Sequence, residues 1–352
     1  MHRSWLVVAS AIALGVACDS GAGLTTPGGP IATPTSSSGG TSGGPKTDGG
    51  SGDDDDGGTT PPDPTTWGDP KTTRRDGMLR LEQLNVRRFF DTKCDSGNCP
   101  NDFEEAPTQD AFDKRVKQIA DDLATIGADV ITLAEVEKLE CLTAVQSSLK
   151  AAGFEYPVAY VAETGAPGSI DVAILARGKL GTVTKYKAST PLKRPDGSTT
   201  SFTREFPEIH LTLGTNEVVV FPAHFKSKAD PDDPGRRVAE ATAAHDILVK
   251  VGAANANALV LLGGDLNDVP GSDPLNALEG DKKLLRVASD LPTTGQGTYK
   301  YAGGDLAIDH IFVTSQHADS YVGKSAKVVR DSGAKGFAGS DHATIYADFT
   351  LP

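Results

Sequence analysis

The chain has 352 residues and a formal net charge of −13 at pH 7. Residues 1–76 hold five Lys/Arg and nine Asp/Glu, so residues 77–352 hold 29 Lys/Arg and 38 Asp/Glu. A domain this acidic is excluded as a stoichiometric nucleic-acid coat, because such binding requires Lys and Arg to neutralise phosphates. An enzyme that acts on nucleic acid is not excluded, since it needs only local positive charge, and clustered carboxylates suit a divalent cation.

The N-terminus has the pattern of an export signal. Arg3 precedes an apolar run from Trp5 to Ala17 that is too short to span a bilayer, and small residues lead up to Cys18. The ending at Cys18 resembles a bacterial lipoprotein cleavage box, although Gly15 stands where a large aliphatic residue is usual. We expect residues 1–18 to be a lipoprotein-type signal peptide with Cys18 lipidated. The alternative is a buried N-terminal helix.

Composition divides the rest of the chain into two parts. Residues 19–76 are dominated by Gly, Ser, Thr, Pro and Asp and offer almost no apolar side chains to bury, so we predict a disordered linker. Residues 77–352 are long enough for one large domain with a substantial core. Within it, Cys94 and Cys99 are close enough in an irregular loop to form a disulfide, with Cys141 free; three reduced thiols are the alternative.

From Met78 onward two hydrophobic periodicities alternate, which predicts a layered α/β domain. The apolar residues of three segments share one helical face, and these predicted helices are 112–126, 137–152 and 236–251. Alternating or continuous apolar runs predict strands at 79–86, 129–133, 170–175, 209–213, 217–221, 258–262, 308–313 and 343–351.

Polar residues recur at the ends of these predicted strands. Four stand at or after the C-terminal end of a strand, namely Asn85, Glu135, His224 and Asp265. Asp309 and the pair Asp341-His342 stand at strand starts. Because a mixed sheet brings both kinds of end to one rim, and α/β proteins bind ligands at such rims, these groups are predicted to converge on one site.

Each segment alone also has a plain structural interpretation. The run from Gly263 to Asp268 could be an Asp/Asn turn, Glu135 could cap the following helix, and Asp341-His342 could be a surface turn. His224 with its two following lysines could form a solvated basic loop. Asp309 is different, because a carboxylate inside an apolar strand is costly unless it is paired.

Taken in order, the segments resemble one protein family. The motifs that carry the resemblance are Leu84-Asn85-Val86-Arg87-Arg88-Phe89-Phe90-Asp91, Leu133-Ala134-Glu135-Val136-Glu137, Asp171-Val172-Ala173-Ile174-Leu175, His224-Phe225-Lys226-Ser227-Lys228, Gly264-Asp265-Leu266-Asn267-Asp268, Ile308-Asp309-His310-Ile311 and Ser340-Asp341-His342. They are similar to the endonuclease/exonuclease/phosphatase superfamily, which includes deoxyribonuclease I and sphingomyelinases, and most of all to its bacterial extracellular nuclease branch. Ala134 departs from the family's usual Gln, and Arg87-Arg88 from the branch's Glu-Asn.

The resemblance implies a fold and a metal. The fold would be a four-layered α/β sandwich, in which two packed mixed β-sheets are flanked by helices. Glu135 would hold Mg²⁺ or Mn²⁺ with Asn85 nearby and Asp341 completing the site, and oxygen-only ligands suit these hard cations.

The resemblance also implies catalytic roles. His342 would be the general base, positioned by Asp309, while Asp265 with Asn267 would orient the attacking water and a phosphate oxygen. Family accounts differ on whether His342 or Asp265 removes the proton, so both assignments stay open. His224 would donate a hydrogen bond to the phosphate.

The function we expect is a metal-dependent phosphoesterase, namely an exported nuclease, monomeric and either secreted or anchored as a lipoprotein in the bacterial cell envelope. A phosphomonoesterase or a phospholipid or sphingomyelin-type phosphodiesterase is the alternative, and a catalytically silent binding module is the third candidate. The nuclease is favoured by basic residues that could form a nucleic-acid track, which are Arg74, Arg75, Arg87, Arg88, Lys226, Lys228, Arg236 and Arg237.

Overall fold

The computed structural model describes residues 77–99, 103–229 and 231–352. The predicted signal peptide with Cys18, the predicted linker 19–76 and the basic pair Arg74-Arg75 lie outside the described residues. None of the helices in the described ranges is long and apolar enough to cross a membrane.

The described residues form four α-helices and sixteen strands. The helices are α1 (Gln109–Ile126), α2 (Leu139–Ala151), α3 (Pro234–Ala254) and α4 (Asp273–Glu279). The strands are β1 (Met78–Phe89), β2 (Val130–Val136), β3 (Val158–Val161), β4 (Asp171–Ala176), β5 (Lys179–Lys185), β6 (Leu192–Lys193), β7 (Thr199–Thr200), β8 (Pro207–Leu213), β9 (Asn216–His224), β10 (Leu259–Asp265), β11 (Leu284–Arg286), β12 (Tyr299–Tyr301), β13 (Gly304–Leu306), β14 (Asp309–Thr314), β15 (Lys327–Val329) and β16 (Thr344–Thr350).

Two six-stranded mixed sheets form the centre of the domain. The first has the order β15-β16-β1-β2-β4-β3, and the second has the order β11-β14-β10-β9-β8-β5. Each contains one parallel pair, β1 with β2 in the first sheet and β9 with β10 in the second, while the other pairs are antiparallel. Parallel neighbours bring their C-terminal ends to one rim, where antiparallel partners begin.

Three clusters of buried apolar residues lie between successive layers, so the domain has four layers. Leu79 and Leu81 of β1 face the second sheet and contribute to the core between the sheets, whereas Leu84 and Val86 pack against α1 and α2. On the far side, the second sheet packs against α3 and α4. The expected four-layered sandwich of two packed mixed sheets flanked by helices is therefore confirmed.

Strand boundaries differ from the sequence prediction near the rim. The first strand was expected to end near Asn85 but continues to Phe89, with a register shift against β2. Glu135 lies inside β2, not past its end, and a second register shift separates Ala134 from Val136 in the pairing with β4. The edge strand β5 was not predicted, because nearly all of its side chains are exposed and carry no buried pattern.

Helix ends follow local signals in the sequence. The Thr108 side chain accepts a hydrogen bond from the backbone N–H of Ala111 and caps α1, and Gly127 ends that helix in the left-handed region with φ of 60°. Asp233 caps α3 in the same way by accepting from the backbone N–H of Arg236.

The two sheets approach closely at Gly263 of β10. A Cβ atom at Gly263 would lie 2.5 Å from Oγ1 of Thr132 on β2, so a larger residue requires the Thr132 side chain or a sheet to shift. At the next position, a Cβ atom on Gly264 would lie 2.5 Å from the backbone oxygen of Ala223. Gly263 therefore lets the two sheets converge, and Gly264 lets β10 lie close to β9 of its own sheet, immediately before Asp265.

Candidate active site

The sheet topology brings four predicted site residues to one rim. Asp265 is the last residue of β10, and in register it lies opposite His224, the last residue of parallel β9. On its other side Asp265 pairs with Asp309, the first residue of antiparallel β14. Asn85 of the first sheet reaches across and donates a hydrogen bond from Nδ2 to Asp265 Oδ2 at 2.9 Å. The predicted convergence of strand ends is thus present.

Asn85 also joins the first sheet's own acid to this cluster. Its Nδ2 donates to Glu135 Oε1 at 3.1 Å, while its Oδ1 accepts from the backbone N–H of Arg87 at 2.8 Å. Glu135 Oε2 accepts from the backbone N–H of Arg88 at 2.8 Å. The cap of α2 is Lys138, so Glu135 is not a helix cap and its side chain belongs to the rim.

Backbone strain is concentrated at the same place. Glu135, Arg87, Arg88 and Asn267 have φ angles of 69°, 54°, 48° and 55°, in the left-handed region that non-glycine residues rarely occupy. Such conformations cost of order 1–3 kcal/mol each and persist only where surrounding contacts hold them. Here the backbone N–H groups of Arg87, Arg88 and Asn267 donate to site side chains.

His342 and Asp309 form a buried pair. His342 Nδ1 lies 2.8 Å from Asp309 Oδ2, and this contact turns Nε2 toward Asp265 Oδ2, 4.0 Å away. Burial alone would lower the pKa of His342, but the Asp309 carboxylate outweighs it and raises the pKa to about 10. Burial and the charge of Asp309 raise the pKa of Asp265 to about 7.

His224 is a buried, neutral histidine rather than part of a solvated basic loop. Its Nε2 lies 3.7 Å from Asp265 Oδ2 and 4.0 Å from Glu135 Oε1. Among the described residues, no partner bonds to its buried Nδ1. Burial, with the positive charges of Arg204 and His342, lowers its pKa well below the usual value. A neutral ring with Nε2 protonated can donate to an anion at this position.

Two predicted residues are oriented differently from the expectation. The Asn267 side chain donates from Nδ2 to the backbone oxygen of Phe225 at 3.2 Å, and its backbone N–H donates to Asp265 Oδ1 at 2.9 Å. Asn267 therefore braces Asp265. Asp341 is partly exposed, and its Oδ2 lies 3.7 Å from Nε of Arg87. Its expected place beside Glu135 and Asn85 stays a prediction.

The donor set fits a hard divalent cation. The carboxylates of Glu135 and Asp265 both accept from the Asn85 amide and so lie close together, and carboxylate oxygens suit Mg²⁺ or Mn²⁺. Asp265, Asp309 and His342 also place one ligand atom each within 4.8 Å of one another. Burial and then the charge of Asp309 raise the pKa of Asp265, and a bound cation would favour its ionised form.

Sequence reasoning missed two residues at the site. Arg204 lies close enough to Glu135 and Asp265 for their charges to act on its pKa, which burial lowers, and Nη1 donates to the backbone oxygen of Phe225 at 3.2 Å. The Tyr299 ring centroid lies 4.9 Å from that of His342. Arg204 stands in an irregular segment without periodicity, and its one signal was an arginine between the phenylalanines 202 and 206.

Most described cations of the proposed basic track form ion pairs or hydrogen bonds within the domain. Arg237 is buried and pairs with Asp268, and Lys228 Nζ lies 2.9 Å from another oxygen of the same carboxylate. Arg236 donates to the backbone oxygen of Ser201. The described cations of the track that flank the rim are Arg87 and Arg88.

The loop before α1 contains the cysteine pair, and the structure joins Cys94 to Cys99 by a disulfide, while Cys141 is free and buried. The side chain of Glu104 accepts hydrogen bonds from the backbone N–H groups of Asp95 and Ser96. The cross-link and this carboxylate join residues within the loop.

Comparisons with known proteins agree with this arrangement. The model of the Endonuclease/Exonuclease/phosphatase family matches residues 83–342. No curated protein sequence matches the chain significantly. Solved structures with a similar fold include D. rerio TDP2 complexed with single strand DNA product, at 18% identity and a TM-score of 0.54, covering 78% of this chain and 99% of that one. A mannosyl-6-phosphatase from Bacteroides thetaiotaomicron has 17% identity and a TM-score of 0.52, covering 76% and 98%. An endonuclease/exonuclease/phosphatase family protein from the same species has 15% identity and a TM-score of 0.51, covering 78% and 98%. At these identities the neighbours show the fold alone.

Proposed function

Because the chain belongs to the endonuclease/exonuclease/phosphatase family, we propose that it is a divalent-metal-dependent phosphodiesterase that cleaves nucleic acid. The observation that carries the proposal is the buried constellation at the rim. His342, held by Asp309 at 2.8 Å, faces Asp265, and Asp265 is bonded in turn to Asn85. An acid, an imidazole and an amide from separate segments can supply the proton transfer and charge stabilisation that hydrolysis of a phosphate ester uses.

Asp265 and His342 divide the proton chemistry. Asp265 is braced by the N–H groups of Asn85 and Asn267, and its carboxylate can accept a proton from the attacking water. The water oxygen bonds to phosphorus as the bond to the leaving oxygen breaks. His342 keeps its proton beside Asp309 and, as imidazolium, stabilises the negative charge on the phosphate.

His224 supplies a further hydrogen-bond donor, and Arg204 supplies a further positive charge. Neutral His224 directs Nε2 toward the carboxylates of Glu135 and Asp265. A phosphate oxygen that approaches Nε2 would accept a hydrogen bond from it and be attracted by the Arg204 guanidinium. Glu135 with Asn85 and Asp341 would hold Mg²⁺ or Mn²⁺, which when bound neutralises charge on the phosphate.

Nucleic acid is the substrate we favour. Arg87 and Arg88 flank the rim in an otherwise acidic chain, and a TDP2 of the same fold is complexed with single strand DNA product. The second candidate is a small phosphate ester, which the mannosyl-6-phosphatase of the same fold supports. We also propose, together with the nucleic-acid substrate, that the chain belongs to the bacterial extracellular nuclease branch of the family.

Export is part of the proposal. The apolar run that ends at Cys18 supports a lipid-anchored or secreted protein. The disulfide between Cys94 and Cys99 also supports an oxidising compartment. Labelling cells with a radioactive fatty acid tests the anchor: the label should appear in the wild-type protein and be absent from Cys18→Ser. A labelled Cys18→Ser protein, or an unlabelled wild type, would refute lipidation at this cysteine.

The substrate is tested by incubating the purified protein with plasmid DNA, RNA, phosphomonoesters and phospholipids. Each reaction is run with Mg²⁺, with Mn²⁺ and with chelator. We expect metal-dependent cleavage of a polynucleotide. Hydrolysis of a small ester or a lipid while polynucleotides stay intact would support the alternative substrate, and full activity in chelator would refute the metal requirement.

A further inference from the structure

A positively charged cleft opens beside the candidate active site. It has a volume of about 340 Å³, and the charged side chains that line it are Arg87, Arg88, Arg115 and Glu105. The lining holds three cations and one carboxylate, with Asp341 beside Arg87, so the cleft is more basic than the chain as a whole, whose net charge is −13. A concave positive region with apolar walls attracts an anionic ligand more strongly than the same charges on an open surface.

The arginines of this cleft are fixed to the catalytic rim. The backbone N–H groups of Arg87 and Arg88 donate to Asn85 Oδ1 and Glu135 Oε2, both at 2.8 Å, and both residues are held in the left-handed region. The Arg87 guanidinium lies 3.7 Å from Asp341, next to His342. The cleft therefore begins where the active site ends.

The positive charge in the cleft is incompletely neutralised. Arg115 donates to the backbone oxygens of Ala338 and Val86, which are uncharged acceptors. Burial and the nearby charge of Arg87 lower the pKa of Arg115 to about 10, against the opposing charges of Asp122 and Asp331. Arg88 lies 3.3 Å from the exposed Glu105, and among the described residues its buried Nε has no hydrogen-bond partner. An anion in the cleft would relieve this repulsion.

Two tyrosines lie beside His342. Tyr299 of β12 packs against the His342 ring, and the Tyr301 ring lies 6.4 Å from that of Tyr299 at an angle of 17° between their planes. Tyr301 is 65% exposed, the largest exposed fraction among the described large apolar residues. An exposed ring stacked on a second ring beside a phosphate site suits a nucleic-acid base, since every base has an aromatic face.

We propose that the substrate is a single-stranded polynucleotide, with a phosphate next to the scissile one in the cleft of Arg87, Arg88 and Arg115 and an unpaired base on Tyr301. This inference rests on the proposed function and goes beyond it by specifying the form of the nucleic acid. A flanking phosphate requires more than one phosphate in the substrate. Stacking on Tyr301 requires a base that is free of its complementary strand.

The experiment measures binding of a fluorescent short oligothymidylate to the whole protein in chelator, where cleavage is suppressed. Tyr301→Ala should weaken binding roughly 5- to 100-fold, whereas Tyr301→Phe, which keeps the ring, should bind like the wild type. Arg88→Gln should weaken binding roughly 3- to 10-fold and reduce the slope of log affinity against log salt by about 0.7. Lys150→Gln is the control: it removes an equal charge from the last turn of α2 and should change neither the affinity nor the salt slope.

Thermal unfolding shows whether each variant is folded. Oligothymidylate affinities of folded Tyr301→Ala and Arg88→Gln equal to the wild type would overturn the inference, as would tighter binding of a blunt duplex than of the single strand. Hydrolysis of bis(4-nitrophenyl) phosphate by the wild type with metal tests the proposed phosphodiesterase function separately from the single-stranded form of the substrate. If that diester is cleaved and the variants bind normally, only this inference fails; if no phosphodiester is cleaved, the proposed function fails.

Discussion

The buried carboxyl group of Glu82 makes stability depend on pH. Glu82 lies on β1, fully buried; Oε1 accepts from the Thr344 hydroxyl at 2.9 Å, and Oε2 has no partner among the described residues. Burial raises the pKa of Glu82 from 4.5 to about 8, against the opposing effects of Thr344 and Arg80. Between these pH values the folded state keeps a proton that the unfolded chain has lost, so stability falls as pH rises.

The substitution Glu82→Gln replaces the protonated acid with a neutral group of the same shape. One pKa unit corresponds to about 1.4 kcal/mol, so the full shift corresponds to about 5 kcal/mol, of which roughly 3 to 4 kcal/mol develops between pH 5 and pH 8. The variant should match the wild type within about 1 kcal/mol at pH 5 and exceed it by roughly 3 to 4 kcal/mol at pH 8.

Urea unfolding at both pH values, followed by far-ultraviolet circular dichroism at constant salt, measures this difference. Glu140→Gln on the exposed face of α2 is the control and should show no such dependence. A free-energy difference between wild type and Glu82→Gln that is the same at pH 5 and pH 8 would refute the reasoning.

Three further substitutions test other parts of the structure. Asp309→Asn removes the charge that holds His342, so turnover of bis(4-nitrophenyl) phosphate should fall roughly 10²- to 10⁴-fold, and unchanged turnover would contradict the pairing. Gly263→Ala should destabilise the domain by roughly 1–3 kcal/mol, because its methyl group would contact Thr132. In the double variant with Thr132→Ala, part of that loss should be recovered. If the loss in the double variant equals the sum of the two single losses, the close approach of the sheets is contradicted. Asp233→Ala removes the cap of α3 and should cost roughly 1–2 kcal/mol in urea unfolding, whereas an unaltered midpoint would mean that the cap contributes nothing.

The parts of the site that the sequence predicted are those fixed by strand periodicity. His224, Asp265 and Asp309 each follow or open an apolar strand, and one rim is where parallel and antiparallel ends of a mixed sheet meet. The helix predicted at 112–126 is α1 from Gln109, because its apolar spacing and the threonine before it are both local signals. Local order and spacing were enough for these elements.

The parts that the sequence did not predict depend on distant partners. Arg237 was expected to contact substrate, but it is buried against Asp268, a pairing that no local pattern encodes. Arg204 reaches the rim from an irregular segment, and the conformation of Asp341 depends on Arg87 across the site. The narrow gap between Gly263 and Thr132 arises only when two sheets pack, so a glycine pair alone could not reveal it.

The most direct test of the central claim is metal-dependent turnover of bis(4-nitrophenyl) phosphate by His342→Ala and by His317→Ala. His342 is buried at the rim, whereas His317 is half-buried in another part of the domain and bonds to the backbone oxygen of Ala256. We expect turnover by His342→Ala to fall roughly 10²- to 10⁴-fold with unfolding unchanged, and turnover by His317→Ala to equal the wild type. Wild-type turnover by folded His342→Ala would show that the rim of Asp265, Asp309 and His342 is not the catalytic site.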